Sequence, residues 1–323
     1  MAAREDRCVG AILGSVISDA AGAPIQWVYD ADKLNKEILS GGQNPEFLTK
    51  NYNPFFTVPT GKSTYYGEQV YVLLETLVEA KGWNKELYRK KLFEWFGPGT
   101  KYDHAAAGVD LSQKPINAPW QSSIMKAFIS SYQGNGEIYN GKAMIETASQ
   151  VAPLVALYAG KPELKANLEE FSRTLQDNDG AVQVTLAAGA LVEEVILKGH
   201  LEDPAEVFKR EGQTEALGWI NEVREMNKKK ASCVDAVGQF GRHCGAEACF
   251  KSGMYAVATG GKQFLPVSRE SLRSGGDICG RGSWLGAFMG GWAGYENLPK
   301  DWIQKTELAP KTIKLAQQLV KLR

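Results

Sequence analysis

Residues 4–24 read REDRCVGAILGSVISDAAGAP, and this stretch sets the terms for the rest of the chain. Val9, Ile12, Leu13, Val16, Ile17 and Ala20 recur at three- and four-residue spacings, the period of one helix face, and Gly22 and Pro24 close the run. The spacing predicts a helix from Arg4 to Gly22. Among its residues Gly10, Gly14, Ser18, Ala21 and Gly22 are small, which implies that another backbone packs closely against it. Asp19 falls one turn before the helix C-terminus, where unpaired carbonyls already carry negative character. A carboxylate there needs a donor partner or a cation, so a structural hydrogen bond and a functional role both fit.

The helical period continues along the chain. It predicts helices over Gln69–Ala80, Lys85–Trp95 with Asn84 as N-cap, Ser122–Tyr132, and Gly141–Gly160 with a break near Val151 imposed by Pro153. Further helices fit Glu163–Leu175, Gly180–Lys198, Pro204–Arg210, Thr214–Met226, Gly245–Thr259, Ser283–Tyr295 and Pro310–Leu322. Almost nothing alternates with period two for long enough to make a sheet, so the chain reads as all-α. Residues 30–66, with GGQNPEF, NYNPFF and VPTGKS, have repeated Gly and Pro and no period, and read as a long functional or covering loop. No composition shift marks a linker, and residues 1–323 read as a single domain.

Lys plus Arg and Asp plus Glu balance at 37 each, so no bulk field draws in nucleic acid or an anionic membrane. The Lys228–Lys230 run reads as a solvated helix end. The apolar stretch Val9–Ala23 is interrupted by Ser15, Ser18 and Asp19, and no other segment is expected to reach the length of a membrane span. Five scattered cysteines, Cys8, Cys233, Cys244, Cys249 and Cys279, suit free thiols in a reducing, cytoplasmic setting. His104, His200 and His243 are too few and too dispersed for a zinc signature, and Cys244 and Cys249 read as thiols on a shared helix. The glycine stretches lack a strand-to-helix context for phosphate, and neither a nucleophile elbow nor an HExxH helix is present.

Near the other end, SGGDICGRGSWLGAFMGGWAGYENLPKDW (274–302) places Gly275 and Gly276 before Asp277 and then a helix rich in small residues. Asp277 there reads as a helix cap or as a site residue. Cys279, in a first helical turn close to Arg281, reads as a space-filling residue or as a thiol activated by the helix dipole.

Taken together, these two stretches resemble the ADP-ribosylglycohydrolase family. The family's opening helix, GALLGLAIGDALGAP, is matched by Gly10–Pro24, and its closing motif, GGDTDTNAAIAGALAGALYGYEAIPEEW, by Gly275–Trp302. Between them NGKAMIETASQVAPLVALYAG (140–160) is similar to the family's NGAAMRVAPLGLLYAG, so the resemblance covers nearly the full length. It implies an orthogonal multi-helix bundle around a cleft in which two magnesium ions bind ADP-ribose and orient water at the glycosidic carbon. Hard cations need several oxygen ligands, which the family supplies from a Thr-Asp-Asp stretch and a later Asp-x-Asp-Thr stretch.

Against that pattern the ligand set is depleted. Thr64, Tyr65, Tyr66 and Gly67 stand where the family has Thr-Asp-Asp-Thr, and Asp277 is followed by Ile278, Cys279 and Gly280 in place of Thr, Asp and Thr. The residues left for a vestigial cleft are Asp19, Thr64, Tyr65, Tyr66, Glu68, Asp277 and Cys279, with Thr64 and Asp277 the residual metal candidates. Tyr65, Tyr66 and Trp284 either line that cleft or fill the space the metals left. The STYYGEQ and GGDICGR stretches resemble the branch of the family that holds the jellyfish J-crystallins and selenoprotein J. That branch implies a catalytically inactive eye-lens protein of the lens-cell cytoplasm, without cofactor and crowded among other lens proteins. The alternative the family implies is a magnesium-dependent hydrolase of ADP-ribosyl bonds, with ADP-ribose as ligand.

Overall fold

A helix that is apolar or small on every face has to be surrounded, and the first helix is. In the computed structural model, which describes residues 1–323, α1 (Ala3–Gly22) is buried at every residue from Cys8 to Gly22. Fourteen further helices follow: α2 (Tyr65–Ala80), α3 (Lys85–Phe96), α4 (Ser123–Tyr132), α5 (Ala152–Tyr158), α6 (Leu164–Leu175), α7 (Asp179–Lys198), α8 (Pro204–Glu211), α9 (Thr214–Lys228), α10 (Cys233–Phe240), α11 (Ala246–Gly260), α12 (Phe264–Arg273), α13 (Ile278–Ala293), α14 (Lys300–Lys305) and α15 (Ala309–Leu319). There is no strand, only three isolated bridges, one of them joining Met144 to Gly245.

The closest partner of α1 is α13, antiparallel to it and buried from Ile278 to Gly291. Gly10 and Gly14 face Gly290 and Gly286, and a methyl group at any of the four would be driven into a backbone carbonyl of the opposing helix. This contact carries the small residues read in both end stretches. Helices α2, α5, α7 and α15 pack around α1, and α7, α11 and α12 around α13. A connected cluster of 87 buried apolar residues runs through the assembly. Two stretches, Ala3–Ile25 and α7, are long and apolar enough to cross a membrane, which corrects the expectation that none would be. The apolar window of Ala3–Ile25 lies wholly inside the bundle and that of α7 mostly so, which accounts for their composition.

Several boundaries differ from the sequence expectation. Helix α2 begins four residues earlier than its apolar period, because Thr64 accepts the Tyr66 N–H and caps it. Helix α13 begins at Ile278 and not Ser283, capped by Asp277. Residues 141–147 are not helical: Ile145 N–H donates to the Cys244 carbonyl and Ala246 N–H to that of Ala143, so the segment pairs with the chain before α11. Cys244 therefore precedes the helix that carries Cys249. Helices α10, α12 and α14 went unread. In α12 Pro266 stands in the first turn, where its missing N–H costs nothing.

The irregular stretch 30–66 is a cover pinned to the end of α1. Phe47 N–H donates to the Ala21 carbonyl at 2.9 Å and Tyr52 N–H to that of Pro24 at 2.7 Å, satisfying groups a helix end leaves open. Glu46, almost fully buried, holds Arg269 of α12 through both carboxylate oxygens.

Gly286→Ala is expected to lose more than about 3 kcal/mol of stability, because the intruding carbon meets backbone that cannot step aside. Gly218→Ala, on an exposed face of α9 with open space around it, is expected to gain about 0.5–1 kcal/mol. Urea denaturation of the two variants beside the parent protein tests both signs at once.

Candidate functional site

The antiparallel contact sets the C-terminal end of α1 beside the N-terminal end of α13, and α2 starts against both. Asp19, fully buried, takes the Thr64 N–H at 2.7 Å on one oxygen and the Thr64 hydroxyl on the other. Gly67, one turn further on, leaves the room: a methyl group there would strike Asp19 Oδ2 and Ser63 Oγ. Both oxygens of Asp19 are thus committed to the cap of α2.

Asp277 is equally enclosed. Its Oδ1 accepts from Gln26 Nε2 at 2.5 Å and from Gly280 N–H at 3.3 Å, and its Oδ2 from the Tyr66 hydroxyl at 2.9 Å. Gln26 turns its amide oxygen to the Cys279 N–H at 2.7 Å, so one side chain serves two groups of the same helix start. The Tyr66 ring lies where Gly280 has no side chain, since a Cβ at Gly280 would meet Asp277 Oδ2, Tyr66 Cζ and Ile145. Tyr65 packs against Tyr66 with ring centroids 4.2 Å apart and planes tilted by 30°. Trp284 lies away from them, stacked on Phe250 and donating to the Cys249 carbonyl, as a core residue.

Glu68 points elsewhere. It accepts from Trp95 Nε1 at 2.7 Å and the Tyr102 hydroxyl at 3.0 Å, and pairs with Lys101. Cys279 donates its thiol to the Asp19 carbonyl at 3.3 Å. Burial, followed by the charges of Asp19 and Asp277, pushes that thiol well above its ordinary range. Arg281 does not offset this, because its guanidinium is turned to the Ser271 and Gly275 carbonyls. An activated Cys279 is therefore ruled out by its surroundings.

Sequence reading missed Gln26 and Glu146. Glu146 is almost fully buried and accepts from Gln69 Nε2 at 2.7 Å and the Ser122 hydroxyl at 2.9 Å, with no lysine or arginine paired to it. Burial pushes both Asp19 and Glu146 up to about 7, against the pull of their hydrogen bonds, and raises Asp277 as well. A lone acid between Ile145 and a run of small residues was the available signal for Glu146, but the helical reading of 141–160 gave it no special place.

These residues do not fit a pair of divalent cations. Magnesium demands near-octahedral oxygen ligation, whereas every oxygen of Asp19 and Asp277 is already an acceptor and the Thr64 hydroxyl is bound to Asp19. Burial holds the phenols of Tyr65 and Tyr66 protonated, far above their ordinary range. No three His, Cys, Asp or Glu side chains gather into a ligand set. A hollow of about 680 Å³ borders the paired segments, lined by Tyr139, Met144, His243, Cys244 and Lys251 among others. None of the buried carboxylates reaches it.

The family model described as ADP-ribosylglycohydrolase matches residues 1–323. The chain belongs to this family. Among its relatives, crystallin J1A of Tripedalia cystophora is 31% identical over 325 residues, covering 98% of this chain and 97% of the relative. Crystallin J1B of the same animal is 30% identical over 328 residues with the same coverage. A solved structure titled an ADP-ribosylglycohydrolase-related protein complex superposes with a TM-score of 0.71 at 18% identity, over 100% of this chain and 99% of that one. That likeness establishes the all-α ADP-ribosylglycohydrolase fold.

In this member of the family the buried acids make stability depend on pH. An unfolded aspartate or glutamate releases its proton near 3.8 or 4.5, while Asp19 and Glu146 keep theirs in the fold until about 7. The native state therefore binds more protons between those values, and stability falls as pH rises, by about 1.4 kcal/mol per pH unit for each such group. The protein is expected to be more stable at pH 5 than at pH 7. Glu146→Gln, which keeps an acceptor for Gln69 and Ser122, is expected to flatten that fall by about one proton and to exceed the parent in stability at pH 8. Urea midpoints measured at each pH decide it.

Proposed function

We propose that this protein is a structural, catalytically inactive protein of the crystallin kind, recruited from the ADP-ribosylglycohydrolase fold and working in the cytoplasm of lens cells. The observation that carries the reading is the Tyr66 hydroxyl on Asp277. A phenol and its ring occupy the position in which the family resemblance would put an aspartate, and the acid that remains is given a neutral donor. The site has become packing.

Other features support the same reading. The two curated relatives described above carry the name crystallin over almost their whole length. A protein held at high concentration needs few adhesive patches, and the large apolar side chains that are well exposed, Met1, Tyr29, Leu111 and Leu197, are scattered along the sequence. The five cysteines are unpaired, which suits a reducing interior. Partners are then other lens proteins met by crowding, and no cofactor is required.

Three measurements test the proposal. Calorimetric titration with magnesium to millimolar concentration is expected to give no binding heat, ADP-ribosylated proteins are expected to release no ADP-ribose, and the protein is expected to rank among the most abundant of a transparent tissue. Magnesium-dependent release of ADP-ribose would replace the proposal with the hydrolase reading, in which Asp19, Glu68 and Asp277 are the candidate polar groups. Low and uniform expression across tissues would remove the lens role.

A further inference from the structure

We infer that one water molecule is a built-in part of this fold, held between α1, α12, α13 and α14 by Ser18 Oγ, Ser268 Oγ and Trp302 Nε1. The three residues are 4%, 5% and 0% exposed and line one internal cavity with Ser271, Gly282 and Leu285. None of the three polar atoms makes a hydrogen bond to the protein. The cavity holds about 10 Å³, the room of a single water.

The cavity follows from the geometry of the α1 and α13 contact. At Gly10, Gly14, Gly286 and Gly290 the backbones touch, whereas a Cβ built at Gly282 stays 3.6 Å or more from Ser18. The helices have begun to part at that end, and the wedge between them is closed by α12 and α14. The indole N–H can only donate, whereas a hydroxyl donates or accepts. A water can take the Trp302 N–H and one serine O–H and donate to the other serine, completing three hydrogen bonds of the kind buried waters make. Left unmade, each bond would weaken folding by about five-fold to a hundred-fold.

A crystal structure resolving ordered solvent is expected to show one peak about 2.7–3.2 Å from all three atoms. In solution, the Trp302 indole N–H is expected to show a cross-relaxation peak to water with the sign of a long-lived bound molecule. Ser18→Ala and Ser268→Ala are each expected to lower the folding constant five-fold or more. Their combined effect is expected to fall short of the product, because the second removal finds the water already short of partners. A cavity without a peak, an indole N–H without the water signal, or strictly multiplicative losses would overturn the inference. Should either variant fail to fold, the two measurements on the unaltered protein still decide.

Discussion

The close approach of α1 to α13 is the constraint on which everything else depends. Four glycines bring two backbones together at a distance no side chain would permit, and the antiparallel sense of the pair follows from Gly10 lying on Gly290 and Gly14 on Gly286. Because of that sense, the carboxyl end of one helix meets the amino end of the other, an arrangement that opposes unlike ends of two helix dipoles. Asp19 and Asp277 are near neighbours in the fold for this reason, although almost the whole chain separates them. The cover at 30–66 and the start of α2 then have a common floor on which to close.

What occupies that floor is a set of acids served by neutral donors. Asp19 has Thr64, Asp277 has Gln26 and Tyr66, and Glu146 has Gln69 and Ser122. Burying an ionised carboxylate without a cation is expensive, and the protein meets the difficulty by letting these groups keep protons longer than they would in water. Glu68 alone takes a lysine, and it is the one nearest the exposed rim of the loop that carries Lys101 and Tyr102. The resemblance places two magnesium ions here. The residues present put hydrogen bonds and protons in the same office.

Much of this was legible in the order of residues. Helical periods, the small faces of Gly10–Gly22 and the capping position of Asp277 all reappear in the fold, because each depends on neighbours within a turn or two. Asn84, read as a cap, does accept the Leu87 N–H. The failures share a different cause. Residues 141–147 look helical by composition but are claimed by Cys244 and Ala246, a hundred residues away. Gln26 and Glu146 gained their places from partners distant in the chain, and the only local sign, the isolation of Glu146 among small residues, names no partner. For Cys279 the dipole and Arg281 left a space-filling residue and an activated thiol both open. Its burial, and the turn of that guanidinium toward Ser271, required the packed structure.

The partner of α1 also begins only at Ile278, with helices α2 to α12 made in between. A helix buried on every side is made well before the surface that buries it, so the pairing that organises the fold is among the least local it contains. Until α13 emerges, α1 presents a stretch long and apolar enough to pass for a membrane span. The glycine row that makes the finished protein so tightly joined thus leaves its nascent chain with an unclaimed sticky segment while the helices between α1 and α13 are being made, and puts a demand for chaperoning on α1.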